Sequence, residues 1–205
     1  MAGRGVAGDK SVARDLGALV CLEDEVGQGL RPPEGRTWAP CGARPIVRVR
    51  GAGGGRVSIA GVACCRPGGR PHLFCQLRAY RRRKGEAKGF TWTDYRDLII
   101  ATHHHLSAPL VWCWDDLDIH LAPGLADFAA ENEAWLRVYR LPGYAPDLNP
   151  AEGIWSLPWR AMAGFAAAGL DGLVRIVMRK LTKIQYRPRL IDGCLAGTGL
   201  IIEPW

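Results

Sequence analysis

No hydrophobic run in this 205-residue chain approaches the ~18 to 20 residues that a membrane-spanning helix requires. The start offers no secretion signal, since residues 1–14 mix glycine, alanine and charge without an apolar stretch. These absences point to a cytoplasmic protein with no membrane role. Cysteine never recurs as Cys-x-x-Cys. The seven cysteines are odd in number and several lie in apolar runs such as residues 110–114, so they read as reduced core residues rather than a disulfide framework or a zinc site. No internal repeat and no long low-complexity linker is present. Gly51-Ala52-Gly53-Gly54-Gly55 lacks the Lys-Ser/Thr that a phosphate-cradling loop needs, which leaves a turn. What is there is 48% hydrophobic and 23% charged, the balance of one globular domain. At this length folding hides roughly 70% of the unfolded surface, so the core needs no staple.

Lysine is also scarce, 5 against 22 arginines, within a net charge of +7. The distribution is more informative than the sum. Residues 44–96 hold 13 basic and 2 acidic residues, residues 110–153 hold 8 acidic and 2 basic, and residues 159–190 hold 7 basic and 1 acidic. An acidic island between basic flanks suits a site where carboxylates hold divalent cations while arginines hold a polyanion. It also suits an ordinary solvated surface. Arg81, Arg82, Arg83 and Lys84 form the densest cationic run, and with Arg160 they are the candidate contacts to DNA phosphates.

Hydrophobic period gives the elements. Residues 1–16 read as a flexible lead and residues 17–205 as one domain. A short apolar run at 18–22 ends in Glu23-Asp24-Glu25; residues 45–50 and 57–65 alternate as a hairpin, and 72–80 as a further strand. The period then changes to 3.6: Tyr95, Leu98, Ile99, Thr102 and Leu106 share one helix face, with Thr91 and Asp94 as a capping box. Residues 110–114 are apolar throughout, the mark of a strand covered on both faces. A helix over 121–130, a strand over 136–141, a helix from Pro150 and a long amphipathic helix over 170–184 complete the chain. The helical crossover between the last two strands makes them parallel.

Three acidic groups stand at predicted element ends: Glu23-Asp24-Glu25, Asp115-Asp116, and Glu152. Gathered carboxylates repel one another unless a divalent cation lies between them. Strand alternation means that if Asp24 faces the site, Glu23 and Glu25 face away; the same rule allows either Asp115 or the pair Asp116/Asp118. Asn149 fits an N-cap, Pro150 the first helical position, and Glu152 the third, where it could close a capping box. His103-His104-His105 sits at a helix end, where cations complement the dipole. Trp112 and Trp114 read as core aromatics.

Asp24-Glu25, Trp114-Asp115-Asp116-Leu117-Asp118-Ile119-His120 and Tyr144-Ala145-Pro146-Asp147-Leu148-Asn149-Pro150-Ala151-Glu152-Gly153-Ile154-Trp155 resemble the three motifs of the DDE transposases of mariner-like bacterial insertion sequences. The 36 residues between Asp115 and Glu152 are similar to the short second spacing of that superfamily. Arg36-Thr37-Trp38-Ala39-Pro40 and the tail from Gln185 to Gly199 also resemble it. The resemblance implies an α/β, RNase H-like fold: a mixed five-stranded sheet, three antiparallel strands then two parallel, flanked by helices. It implies Asp24, Asp115 and Glu152 as catalytic and metal-holding residues, with Asp115 rather than Asp116. Two magnesium ions are the implied cofactors, with manganese as a substitute. The implied activity is metal-dependent DNA strand cleavage and strand transfer during transposition, without a covalent nucleophile. The implied partners are element-end and target DNA and a second copy of the chain, in a bacterial nucleoid-associated setting. His120 matches a family position.

Three departures stand out. Asp116 replaces the Asn usual after the second Asp, and Pro158 occupies a position that is typically basic. A proline there removes a bond to the Ile154 carbonyl, costing ~3 kcal/mol inside a helix, which predicts a kink or an early stop. Only 23 residues precede Asp24, so the helix-turn-helix module of full-length relatives is expected to be absent, or supplied by a separate polypeptide. The competing expectations are an inactive, DNA-binding transposase remnant and a stand-alone RNase H-like nuclease such as a junction resolvase.

Overall fold

The computed structural model describes residues 7–33, 39–43, 46, 54–115, 117–141, 149–163, 167 and 169–198. Helix α1 (Ala7–Leu16) leads into β1 (Leu19–Gly29), β2 (Arg56–Cys65) and β3 (His72–Tyr80). Then come α2 (Trp92–Leu106), β4 (Leu110–Trp114), a 3₁₀ turn (Asp118–Leu121), α3 (Pro123–Glu131) and β5 (Leu136–Arg140). Helices α4 (Pro150–Met162), α5 (Leu170–Gln185) and α6 (Pro188–Gly197) close the chain. One sheet holds all five strands in the order β3-β2-β1-β4-β5. β2 pairs antiparallel with β1 and β3, whereas β4 pairs parallel with β1 and β5, which is the expected mixed sheet.

The sheet separates two helical layers. Leu19, Cys21, Ala60, Val62, Trp112 and Trp114 face Tyr95, Ile99 and Leu125 of α2 and α3. The opposite side chains of the same strands, Val20, Leu22, Ala63, Val111 and Cys113, pack against Ala13, Ile154, Ile184 and Ile191. Further along β2, Val57 and Ile59 meet Trp155, Met162, Val177 and Leu181 of α4 and α5. Both faces are dry, which explains the unbroken apolar run of β4. Cys21, Cys64, Cys65 and Cys113 are buried within it, and no disulfide forms among the described residues.

Several local expectations change. The segment read as a flexible lead contains α1, whose Ala13 is fully buried. β1 does not end at Leu22. It runs seven residues further because its ladder with β2 continues from Glu23↔Val62 to Gly29↔Arg56, so pairing carries the acids into the strand's interior. Both edges of β2 are taken by β1 and β3, which leaves none for a hairpin with residues 45–50; apart from Ile46, those residues lie outside the described ones. Helix α4 passes through Pro158 to Met162 without stopping there. Trp155, Pro158 and Met162 are all buried, and this packing on both sides of the proline offsets its missing N–H. The Thr91–Asp94 cap forms, with Thr91 N–H donating to Asp94 Oδ2 at 2.7 Å.

Candidate active site

The parallel ladder between β1 and β4 ends with Leu22 opposite Cys113. Asp24 lies two residues past that point on β1, and Asp115 two residues past it in the chain, just beyond the end of β4. Asp24 shares its side of the sheet with Val20 and Leu22, the side covered by α4. Asp115 follows β4 directly, and its side chain is 44% exposed. Asp24 is half-buried, so both acids keep some contact with solvent.

The third acid arrives on α4. Asn149 caps that helix, its Oδ1 accepting from Ala151 N–H at 3.1 Å, with Pro150 in the first turn as its fixed φ favours. The same side chain donates through Nδ2 to the Glu23 carbonyl at 3.3 Å, tying the helix start to β1 next to Asp24. One turn further in, Trp155 Nε1 donates to Asp24 Oδ2 at 2.9 Å. That approach requires glycine at 61, which stands opposite Asp24 on β2: a Cβ there would lie 2.3 Å from the Trp155 ring. Glu152 precedes Trp155 by three residues, so its exposed carboxylate rises from the same side of the helix. No capping-box bond engages it among the described residues, although its position allows one.

Asp24 registers the company it keeps. Burial pushes its carboxyl up to about 6; the Trp155 bond opposes this, the charges of Glu152 and Asp115 add to it, and the Glu25 N–H, 2.9 Å from Oδ1, again opposes. Carboxylates are hard oxygen donors of the type that suits magnesium or manganese, and a cation beside Asp24 would offset the charges of Glu152 and Asp115 that act on it. The donor set therefore fits such an ion by its chemistry. Among the described residues no three acidic, histidine or cysteine side chains are grouped so that they could hold a metal ion. Asp116 lies outside the described residues, as do residues 34–38 and 142–148, which carry parts of the motifs.

The other face of β1 is built differently. Glu25 accepts from Tyr95 Oη at 2.7 Å, and burial raises the Tyr95 phenol. Glu23 is fully buried, and burial raises its carboxyl well above the usual range, with Asp24, Asp115 and Glu25 adding repulsion. Its Oε2 lies 3.3 Å from His120 Nε2, an imidazole that burial holds below its ordinary value. Both shifts act toward the uncharged forms of this close pair. Sequence reasoning did not single out Trp155 or Glu23 for a role. The spacing Glu152-x-x-Trp155, which sets both on one side of a helix, was the available signal for the first.

The cationic candidates separate. Arg81, Arg82, Arg83 and Lys84 are exposed after β3, but Arg81 pairs with Asp171, and Glu86 Oε2 accepts from the Arg81 and Arg83 N–H groups at 2.7 and 3.1 Å. Arg160 is exposed on α4 and turns back on Ser156, donating to its Oγ at 2.8 Å. A further basic hollow went unpredicted. Arg179, Lys180 and Lys183 of α5 line a cavity of about 230 Å³ with Ala161 and Met162 of α4. His103 is engaged structurally, its ring stacked on Trp135 at 4.0 Å. No described helix is long and apolar enough to cross a membrane.

Residues 19–166 match the family model described as DDE superfamily endonuclease. No curated protein matches the chain in sequence. Among solved structures it resembles the Mos1 transposase paired-end complex with left transposon end, at TM-score 0.58 and 14% identity over 95% of this chain and 60% of that one. It also resembles the pre-cleavage Mos1 transpososome (TM-score 0.57, 14% identity, 95% and 60% covered) and the Mos1 strand transfer complex (TM-score 0.54, 14% identity, 99% and 67% covered). The chain spans about 60% of the length of the first two transposase chains. At this identity the likeness establishes the fold, the RNase H-like arrangement of mixed sheet and flanking helices.

Proposed function

From the premise that the chain belongs to the DDE superfamily of endonucleases, we propose that it is the catalytic unit of a transposase, cutting DNA strands at element ends and joining them to target DNA. Asp24, Asp115 and Glu152 are its metal-holding residues, magnesium the resident cation and manganese its substitute. The observation that carries this reading is the tie of the α4 start to β1, Trp155 Nε1 to Asp24 Oδ2 and Asn149 Nδ2 to the Glu23 carbonyl, which sets the Glu152 helix turn beside Asp24 within a fold shared with a transposase. Mos1 complexes with manganese and with magnesium support the choice of ions.

A pair of divalent cations, when bound, supplies Lewis acidity toward the attacking and leaving oxygens of a phosphodiester. The chain's own residues do the positioning. Trp155 Nε1 and the Glu25 N–H each hold one oxygen of Asp24, leaving further lone pairs on both for a ligand. Glu152 is fixed in direction by the first turn of α4, which Asn149 ties to β1. DNA is held through its backbone by Arg82, Arg83, Lys84 and Arg160, with Arg81 divided between phosphate and Asp171. The catalytic unit is residues 17–205, with α1 packed against it. In its active form the protein is a homodimer, associated with the bacterial nucleoid in the cytoplasm.

The test is to incubate the purified chain with precut element-end DNA, target plasmid and magnesium, with Asp115→Asn as control. Joined products that vanish in the variant are expected. A well-folded wild-type chain that joins nothing overturns the reading.

A further inference from the structure

His120 is a buried group for which the proposed chemistry has no use, yet its ring is held from every side. It stacks on Trp114 with centroids 4.6 Å apart and planes 8° from parallel, and meets the Tyr95 ring edgewise at 4.8 Å and 86°. Nδ1 lies 3.1 Å from Asp115 Oδ1 and 3.1 Å from the Asp115 carbonyl oxygen; Nε2 lies 3.3 Å from Glu23 Oε2. The His120 and Glu23 side chains have no solvent exposure, and neither Glu23 oxygen nor His120 Nε2 finds an aligned hydrogen-bond partner.

A carboxylate just past a strand end turns freely about two torsions unless something holds it. Here Asp115 Oδ1 accepts from the Leu117 N–H at 3.2 Å and has His120 Nδ1 at 3.1 Å beside it, the aligned bond of that nitrogen going to the Asp115 carbonyl oxygen. The other oxygen is left for a ligand. Two oxygens facing Nδ1 require a proton on that nitrogen, and a ring so clamped cannot rotate to offer the other. We propose that His120 is a positioning residue that pins Asp115 Oδ1 and presents Oδ2 to the metal site, with Glu23 closing the ring's far side. This rests on the reading of Asp115 as a metal ligand. The buried acid on the face of β1 turned away from the site thereby acquires a role, because it occupies the Nε2 side and leaves Nδ1 as the nitrogen that donates.

Two measurements decide it. In the metal-free chain with ¹⁵N-labelled histidine, the His120 resonances, assigned by their loss in His120→Asn, are expected to show a protonated Nδ1; a bare Nδ1 overturns the proposal. Manganese binding, followed by electron paramagnetic resonance, is then compared across variants. His120→Phe keeps a stacking ring without the donor and is expected to weaken binding about 10- to 100-fold, as loss of an outer partner of a metal ligand does. His120→Asn, which offers an amide N–H near the Nδ1 position, is expected to recover most of that loss, and His120→Gln, which moves the amide toward Nε2, is not. If His120→Phe does not fold, the Asn and Gln pair decides alone, and equal affinities or the reverse order overturn the proposal. Should Asp115→Asn bind manganese as tightly as wild type, the ligand reading of Asp115 falls and this inference with it. A loss in Asp115→Asn without one in His120→Phe overturns this inference alone.

Discussion

Glu23 and Asp24 are adjacent acids on one strand, and their surroundings have almost nothing in common. Asp24 points to the α4 side, where Trp155 binds it and two other carboxylates, both open to solvent in part, act on its charge. Glu23 points to the α2 side, sealed among Tyr95, Trp114 and His120. The difference shows that alternation along the strand, not residue type, decides which acid is sealed among rings and which keeps contact with solvent beside α4.

The largest expected effect breaks this asymmetry at its centre. Asp24→Asn should lower strand cleavage by about 1000-fold, since metal-borne charge stabilisation is worth several kcal/mol. Glu25→Gln, on the opposite face, should stay within about tenfold, the worth of its one bond to Tyr95. Single-turnover cleavage of labelled DNA measures both, and equal losses would erase the distinction between the faces.

Stability in metal-free buffer probes the same contrast through protons. Because the folded state raises the Asp24 carboxyl from 3.8 to about 6, it binds that proton more tightly than the unfolded chain does. Stability is therefore expected to fall by about 3 kcal/mol as pH rises through this window, and Asp24→Asn should abolish that part of the fall. Any decline continuing to higher pH in the variant belongs to Glu23, whose carboxyl is raised further. Urea melts across pH check this, and a wild-type curve that is flat or rising there contradicts the environment described for Asp24.

A smaller effect is expected from Gly61→Ala. The added methyl meets the Trp155 ring and should cost about 2 kcal/mol by overpacking. Displacing Trp155 also removes its bond to Asp24, so the pH-dependent fall should steepen, read again from urea melts. Asn149→Ala is expected to cost about 1 kcal/mol through the lost cap, and to loosen Glu152 because the tie to the Glu23 carbonyl goes with it.

Much of the fold was legible because its signals are local. The all-apolar stretch of β4, the 3.6 period of α2 and α5, and the Asn149-Pro150 helix start each follow from neighbouring side chains. The errors arose where pairing or packing across the chain overruled such signals. β1 extends through three acids because β2 offers a ladder to them, and α4 continues past Pro158 because buried side chains flank the proline. The alternation at residues 45–50 falls, apart from Ile46, outside the described residues. Of the candidate site, the three acids stood out in the sequence as charges at odd places. Trp155 over Gly61 did not, since it gains its meaning only from residues more than 90 positions away.

By itself the sequence determined most of the kinds of element and their order, because hydrophobic period and capping chemistry act between residues a few places apart; it marked the acidic clusters but left the choice within them to a family resemblance. Tertiary structure alone decided that Asp24 faces α4 while Glu23 faces a buried histidine. Those outcomes depend on strand register, which is fixed by contacts between segments that the linear order keeps far apart.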